Sequence, residues 1–182
     1  MALRRIVLEG DEILRKTSKE VRDFGGRTHL LLDDMWETLK ECDGIGLAAP
    51  QVGVLRRIVV VDIPPEPDAE DTATDADPEA EGAAGAARRD DANLCGRYEL
   101  LNPVIVETEG EVREDEGCLS LPGLIGCVPR PARVKVRAFD RDGAEIIVEG
   151  EGILAKAFCH EIDHLNGILF TDIAESVREA GS

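Results

Sequence analysis

Residues 133–167 read RVKVRAFDRDGAEIIVEGEGILAKAFCHEIDHLNG, and this stretch decides the fold. Arg133 to Asp140 alternates apolar and charged side chains, the period of a strand with one buried face. Arg141-Asp142-Gly143 supplies a hairpin turn, and Ala144 to Gly150 returns as a β-branched strand. Gly152 to Leu165 then reads as a helix, closed by Asn166-Gly167. Upstream, Tyr98 to Gly110 is extended and broken at Asn102-Pro103, and Ile58 to Ile63 (IVVVDI) is a buried strand. Residues 28–41 carry Leu31, Met35 and Leu39 on one stripe beside Leu32 and Trp36, an amphipathic helix. Thr28 is its expected N-cap, and the glycines of Cys42-Asp43-Gly44-Ile45-Gly46 end it. Residues 11–20 form a short helical turn. Strands grouped between helices, rather than alternating with them, predict an α+β fold.

The chain has 182 residues and 43% apolar residues, enough for one domain with a real core. No run of apolar residues is long enough to span a membrane, and MALRRIVLEGDEILR is not a secretory signal. The net charge of −17 argues against unaided contact with nucleic acid or an anionic membrane. Residues 64–97 hold ten of the acids against three arginines and almost no large apolar side chain. Such a segment cannot offset its ordering entropy by burial, so it is expected as a solvated, mobile insertion between two strands. A short exposed helix over 79–88 is the alternative. Five widely spaced cysteines without a CxxC pair read as reduced thiols of a cytoplasmic protein. Cys42, Cys95 and Cys127 are expected as small buried apolar side chains.

His160-Glu161-Ile162-Asp163-His164 is the sharpest local signal. On a helix, side chains at i and i+4 share a face, so both imidazoles can reach one ion, and Glu161 can accept a proton from a water beside it. A chance match on a polar helix face is the bland reading. A catalytic site needs a third ligand and an open position. The completions of ordinary zinc peptidases fail here: one expected position is Phe170, and the chain reaches Ser182 before the other. The third ligand therefore comes from upstream, unless an acid of the tail serves. Cys118, in the Gly- and Pro-punctuated loop Glu114 to Gly123, is the best candidate, because a thiolate suits zinc or ferrous iron. Cys159 points about 100° away from His160 on the helix and is expected to pack or line the edge.

Three segments together resemble the peptide deformylase family. Gly44-Ile45-Gly46-Leu47-Ala48-Ala49-Pro50-Gln51 is similar to the family's GxGLAAxQ, Glu116-Gly117-Cys118-Leu119-Ser120 to EGCLS, and His160 to His164 to HExxH, in the family's order. The resemblance runs from about Ile6 to Phe170, apart from residues 64–97. It implies a single catalytic domain over 1–182, with antiparallel or mixed sheets packed around a central C-terminal helix that carries HExxH. It implies hydrolysis of the formyl group from the N-terminal formylmethionine of new polypeptides, releasing formate. Cys118, His160 and His164 would hold one divalent ion, ferrous iron in the cell, with zinc, nickel or cobalt also fitting. Glu161 would move the proton, and the Gln51 amide and the Leu119 backbone N–H would donate to the oxyanion. Gly44, Ile45 and Gly46 would lie beside the extended substrate, and Ile45, Ile153 and Ala157 would line the methionine pocket; for Ile153, plain core packing is the alternative. Nascent formylmethionyl peptides and the ribosome are the implied partners of a monomer, with no direct nucleic-acid contact.

The chain departs from the family pattern in four places. Cys159 stands where Gln is common, Gly10-Asp11-Glu12 replaces a Pro-Asp turn, the acidic insertion is long, and the tail is too short for a long terminal helix. Two rival readings fit the same residues. A zinc endopeptidase would be indifferent to Cys118, and a metal-stabilised binding module would survive Glu161→Gln.

Overall fold

The computed structural model describes residues 2–64 and 96–181. Among the described residues, two α-helices, α1 (Gly26–Glu41) and α2 (Gly152–Leu165), accompany eight strands. These are β1 (Gly46–Ala48), β2 (Ile58–Ile63), β3 (Gly96–Glu109), β4 (Val112–Cys118), β5 (Leu121–Arg130), β6 (Arg133–Phe139), β7 (Glu145–Glu151) and β8 (Ser176–Glu179). A five-stranded sheet has the order β1-β2-β3-β6-β7, and a three-stranded sheet has the order β4-β5-β8. Every pairing of named strands is antiparallel. The class is the α+β expected from the sequence.

β2 explains why its sequence reads as a continuous β-branched run. Side chains of a strand alternate between faces, and here both faces are covered. Val59, Val61 and Ile63 pack in one core with Leu154, Phe158 and Ile162 of α2. Ile58 and Val60 pack in another with Leu32, Met35 and Leu39 of α1. The sheet is therefore sandwiched between the two helices at β1 and β2. β6 turns Val134, Val136 and Ala138 toward α2 and leaves Arg137 exposed, which accounts for its strict alternation. α2, buried along most of its circumference, occupies the centre. A third core joins Leu121 and Val128 of β5 to Leu14, Leu169 and Phe170.

Several expectations are corrected. α1 begins at Gly26 with Gly25 as N-cap, because the Thr28 hydroxyl donates instead to the Asp23 carbonyl at 2.7 Å. Asn102-Pro103 does not end a strand. β3 continues through it with a register shift, absorbed by Asn102 at φ 52°. Residues 114–123, read as a loop, form the end of β4, a two-residue turn and the start of β5. Their acids obscured the strands because β4 exposes Glu114 and Asp115. Gly96 and Arg97 belong to β3 rather than to the insertion. Residues 65–95 of the insertion, with Cys95 and the alternative helix over 79–88, fall outside the described residues. Cys42 and Cys127 are half-buried rather than buried, and the four described cysteines are free thiols. A terminal strand after the last helix, β8, has no counterpart in the sequence reading.

Candidate active site

Two periodicities bring the polar side chains together. On β4, Glu116 and Cys118 are two residues apart and face the same side. On α2, His160 and His164 are four apart and share a face. Two strand residues advance about 6.6 Å and four helix residues about 6 Å, so the elements meet in two matched rungs. In the first rung His160 Nδ1 lies 2.9 Å from Glu116 Oε2. In the second Cys118 Sγ lies 3.2 Å from His164 Nε2. One ligand atom from each of Cys118, His160 and His164 falls within 4.8 Å of the others.

An entering cation would have to displace a proton held on His160. Against the cost of burial, hydrogen bonds to the Cys118 sulfur and the Glu116 carboxylate raise His160 to about 10. His164 is held well below the ordinary value, first by burial and then by the charge on His160. A neutral imidazole, a second imidazole oriented by a carboxylate, and a thiol form a donor set that suits a borderline-soft divalent ion.

Behind the first rung lies a buried ion cluster. Arg130 of β5 grips Glu116 with two bonds, Nε to Oε1 at 2.7 Å and Nη2 to Oε2 at 3.0 Å. Its Nη1 reaches Asp163 of α2 at 2.6 Å. The Arg130 and Glu116 side chains are only 6% and 3% exposed. Burial works against the Glu116 carboxylate, but His160 and Arg130 hold it down at about 2. The carboxylate thus stays ionised and accepts from His160 Nδ1, leaving the other ring nitrogen for the cluster.

Glu161 follows His160 and is 4% exposed. Its Oε2 has no hydrogen-bond partner within the described protein. Burial pushes the carboxyl up to about 7, with His160 opposing, a range that suits proton transfer near neutrality. Gly46 makes room for it: a Cβ there would lie 2.5 Å from Glu161 Oε1. Gln51 sits in the 3₁₀ turn after β1. Its amide oxygen accepts from Ala48 N at 2.8 Å. Its Nε2 is thereby aimed at Cys118 Sγ, 3.5 Å away, and at Ser120 Oγ, 3.3 Å away.

A cleft of about 510 Å³ opens over this constellation. Gly44, Ile45, Gly46, Gln51, Cys118 and Leu119 line one part, and Ile153, Ala157, His160 and Glu161 the other. Ile153 is 45% exposed, so it borders the cleft and is not core packing. His164 lies deeper, at 1%. Cys159 turns from α2 into the core it shares with Val59 and Val61, and burial raises its thiol to about 11. It stands outside the donor cluster. The sequence reading named the donors but not Arg130, Asp163 or the role of Glu116. Glu116 lay within a quoted motif. Arg130 carried no local signal, because its partners are 14 and 33 residues away.

Known proteins resemble this chain along most of its length. The sequence model of the polypeptide deformylase family matches residues 3–180. A peptide deformylase of Acetivibrio thermocellus is 50% identical over 94% of this chain and 84% of its own. One of Alkaliphilus metalliredigens is 45% identical over 94% and 97%. Among solved structures, peptide deformylase from Ehrlichia chaffeensis in complex with actinonin superposes with TM-score 0.80, 35% identity, and 97% and 91% of the two chains covered. That from Thermotoga maritima gives 0.77 at 32% identity, covering 97% and 100%. The chain therefore belongs to the peptide deformylase family, whose members are metalloenzymes that remove the N-formyl group from new polypeptides.

Proposed function

We propose that this chain holds one divalent ion on Cys118, His160 and His164 and uses Glu161, Gln51 and Leu119 to hydrolyse the formyl group of N-formylmethionyl peptides. The observation that carries the reading is the convergence of the three donor atoms within 4.8 Å, beside a buried carboxylate and an oriented amide donor. When bound, the ion supplies Lewis acidity, which brings the pKa of water into the neutral range. The Glu161 carboxylate takes a proton from the attacking water and returns it to the leaving amine as the C–N bond breaks. The Gln51 Nε2 and the Leu119 backbone N–H donate to the oxygen that becomes negative in the tetrahedral intermediate. The exposed Ile45 and Ile153, with Ala157, form the wall that takes the methionine side chain, and Gly44 and Gly46 admit the peptide backbone alongside. Ferrous iron is the proposed cellular ion; zinc, nickel and cobalt suit the same donors.

The rest of the reading is one catalytic domain over 1–182, acting as a monomer in the cytoplasm on nascent chains at the ribosome. Among the described residues no helix is long and apolar enough to cross a membrane. The test is an anaerobic formate-release assay on formyl-Met peptides, with metal analysis of the same sample. Stoichiometric ion and formate release are expected. An ion-loaded protein that never releases formate would end the reading, and so would Cys118→Ala that keeps both ion and rate.

A further inference from the structure

Phe170 occupies the position at which one class of zinc peptidases would carry its third ligand, and here that position has another use. The side chain is 1% exposed and belongs to the third core, with Leu14, Leu121, Val128 and Leu169. Cys118 packs against the same core. The ring of His160 lies nearly parallel to that of Phe170, with the planes 25° apart and the centroids 6.3 Å apart, within the range of offset-stacked rings. Two of the three proposed donors therefore rest on one apolar bed.

The bed is shaped around this ring. Glu116 of β4 and Gly126 of β5 are register partners, and residues directly opposite in an antiparallel pair project from the same face. Gly126 thus withholds a side chain beside the carboxylate that accepts from His160 Nδ1. The Phe170 ring takes that space: a Cβ at Gly126 would lie 2.8 Å from its Cε2 and 3.0 Å from its Cδ2. The backbone leading to Phe170 is held to the end of α2. Gly167, at φ 75°, lets the chain reverse against Arg15, whose carbonyl oxygen would lie 2.5 Å from a Cβ there. Ile168 N returns to Asp163 O at 3.0 Å. Asp172 Oδ2 accepts from Leu169 N at 2.9 Å and pairs with Arg15.

We propose that Phe170 is a positioning residue that sets the ring plane of His160, and with it the direction in which Nε2 meets the ion. The inference rests on the reading that Cys118, His160 and His164 hold that ion. A hydrogen bond at Nδ1 fixes one atom of an imidazole and leaves the ring free to tilt about it. A near-parallel neighbour in a closed core removes that tilt. An aliphatic side chain can fill the same volume but offers no plane. Outer partners that orient a ligand change metal affinity by about 10–100-fold.

The test compares Phe170→Leu and Gly126→Ala with the parent. Competition with a chromophoric chelator gives the zinc dissociation constant of each folded protein, and the visible absorption of cobalt-loaded samples reports the ligand geometry. Phe170→Leu should weaken zinc binding about tenfold and shift the cobalt bands. Gly126→Ala keeps the ring but displaces it and should change both readouts, so the inference stays testable if Phe170→Leu does not fold. Leu14→Ala, which opens a cavity in the same core and alters no ring, should lower the melting temperature and leave both readouts as they are in the parent. Unchanged zinc affinity and cobalt bands in both ring variants, or an equal loss of affinity in Leu14→Ala, would overturn the proposal. A parent that binds no zinc would instead remove the reading of the site on which it rests.

Discussion

Arg130 offers the sharpest perturbation, because it joins β4, β5 and α2 through ions that have almost no water. Substituting methionine keeps much of its apolar bulk and removes three hydrogen bonds, at 2.7, 3.0 and 2.6 Å. Glu116, 3% exposed, is then left charged beside His160 alone. Asp163, 22% exposed, can still reach water. Removing one partner of a buried pair costs about 3–5 kcal/mol. A domain of this size has a total of about 5–15 kcal/mol, so the variant should fold but lose a large share of its margin. The expected fall in melting temperature is about 6–20 °C. Urea denaturation at constant free zinc measures it as a lower midpoint with unchanged slope. Adding Glu116→Gln removes the stranded charge while keeping an acceptor for His160 Nδ1, and should recover about 1–3 kcal/mol. Arg130→Met within about 1 kcal/mol of the parent, or no recovery in the double variant, would refute the reasoning.

Glu161→Gln should retain the ion by metal analysis and lose at least about 10²-fold in kcat; a rate near the parent's would remove Glu161 from proton transfer. Gly46→Ala places a methyl against a carboxylate oxygen only 2.5 Å away, and a displaced base of this kind costs up to about 10²-fold in rate. An unaltered kcat would show that the close approach is unimportant. Asp34 is buried, which disfavours its charge, but the Ala2 N–H and Arg4 hold its pKa below the ordinary 3.8. A depressed value stabilises the fold above the unfolded pKa and is lost as pH falls through the folded one. The stability gap to Asp34→Asn should therefore be full at neutral pH and close below 3.8; a gap independent of pH would contradict this. Ile63 and Gly96 are register partners at the end of the β2–β3 ladder, so a short hairpin turn can replace residues 66–93. Circular dichroism and formate release should be retained, and an unfolded product would show that the segment holds the fold together.

Residues whose environment is local were legible in the sequence. β2 was legible because both its faces meet apolar helices, and the β6–β7 hairpin because one face is wet. α2 was legible from its punctuation and its histidine spacing. Thr28 misled because a hydroxyl near a helix start has two uses, and here Asp23 O took it. β4 hid because its acids find partners that no local pattern reveals: Asp115 pairs with Arg178 of β8, Glu114 with Lys156 of α2, and Glu116 with Arg130. A strand stabilised across such distances looks, in isolation, like a solvated loop.

The motifs name the donors, but neither motif states how the two elements that carry them are aligned. H-E-x-x-H states a helical period, and Glu116-x-Cys118 states a strand period; neither contains the other. Their agreement is a property of packing, since about 6.6 Å along a strand happens to match about 6 Å along a helix. That match lets one carboxylate orient one imidazole while a thiol meets the other. A one-residue slip of β4 would turn Glu116 and Cys118 away from α2 together. Arg130, bonded to Glu116 on β4 and to Asp163 on α2, opposes that slip. The residue without a sequence signal therefore sets the register on which both legible motifs depend.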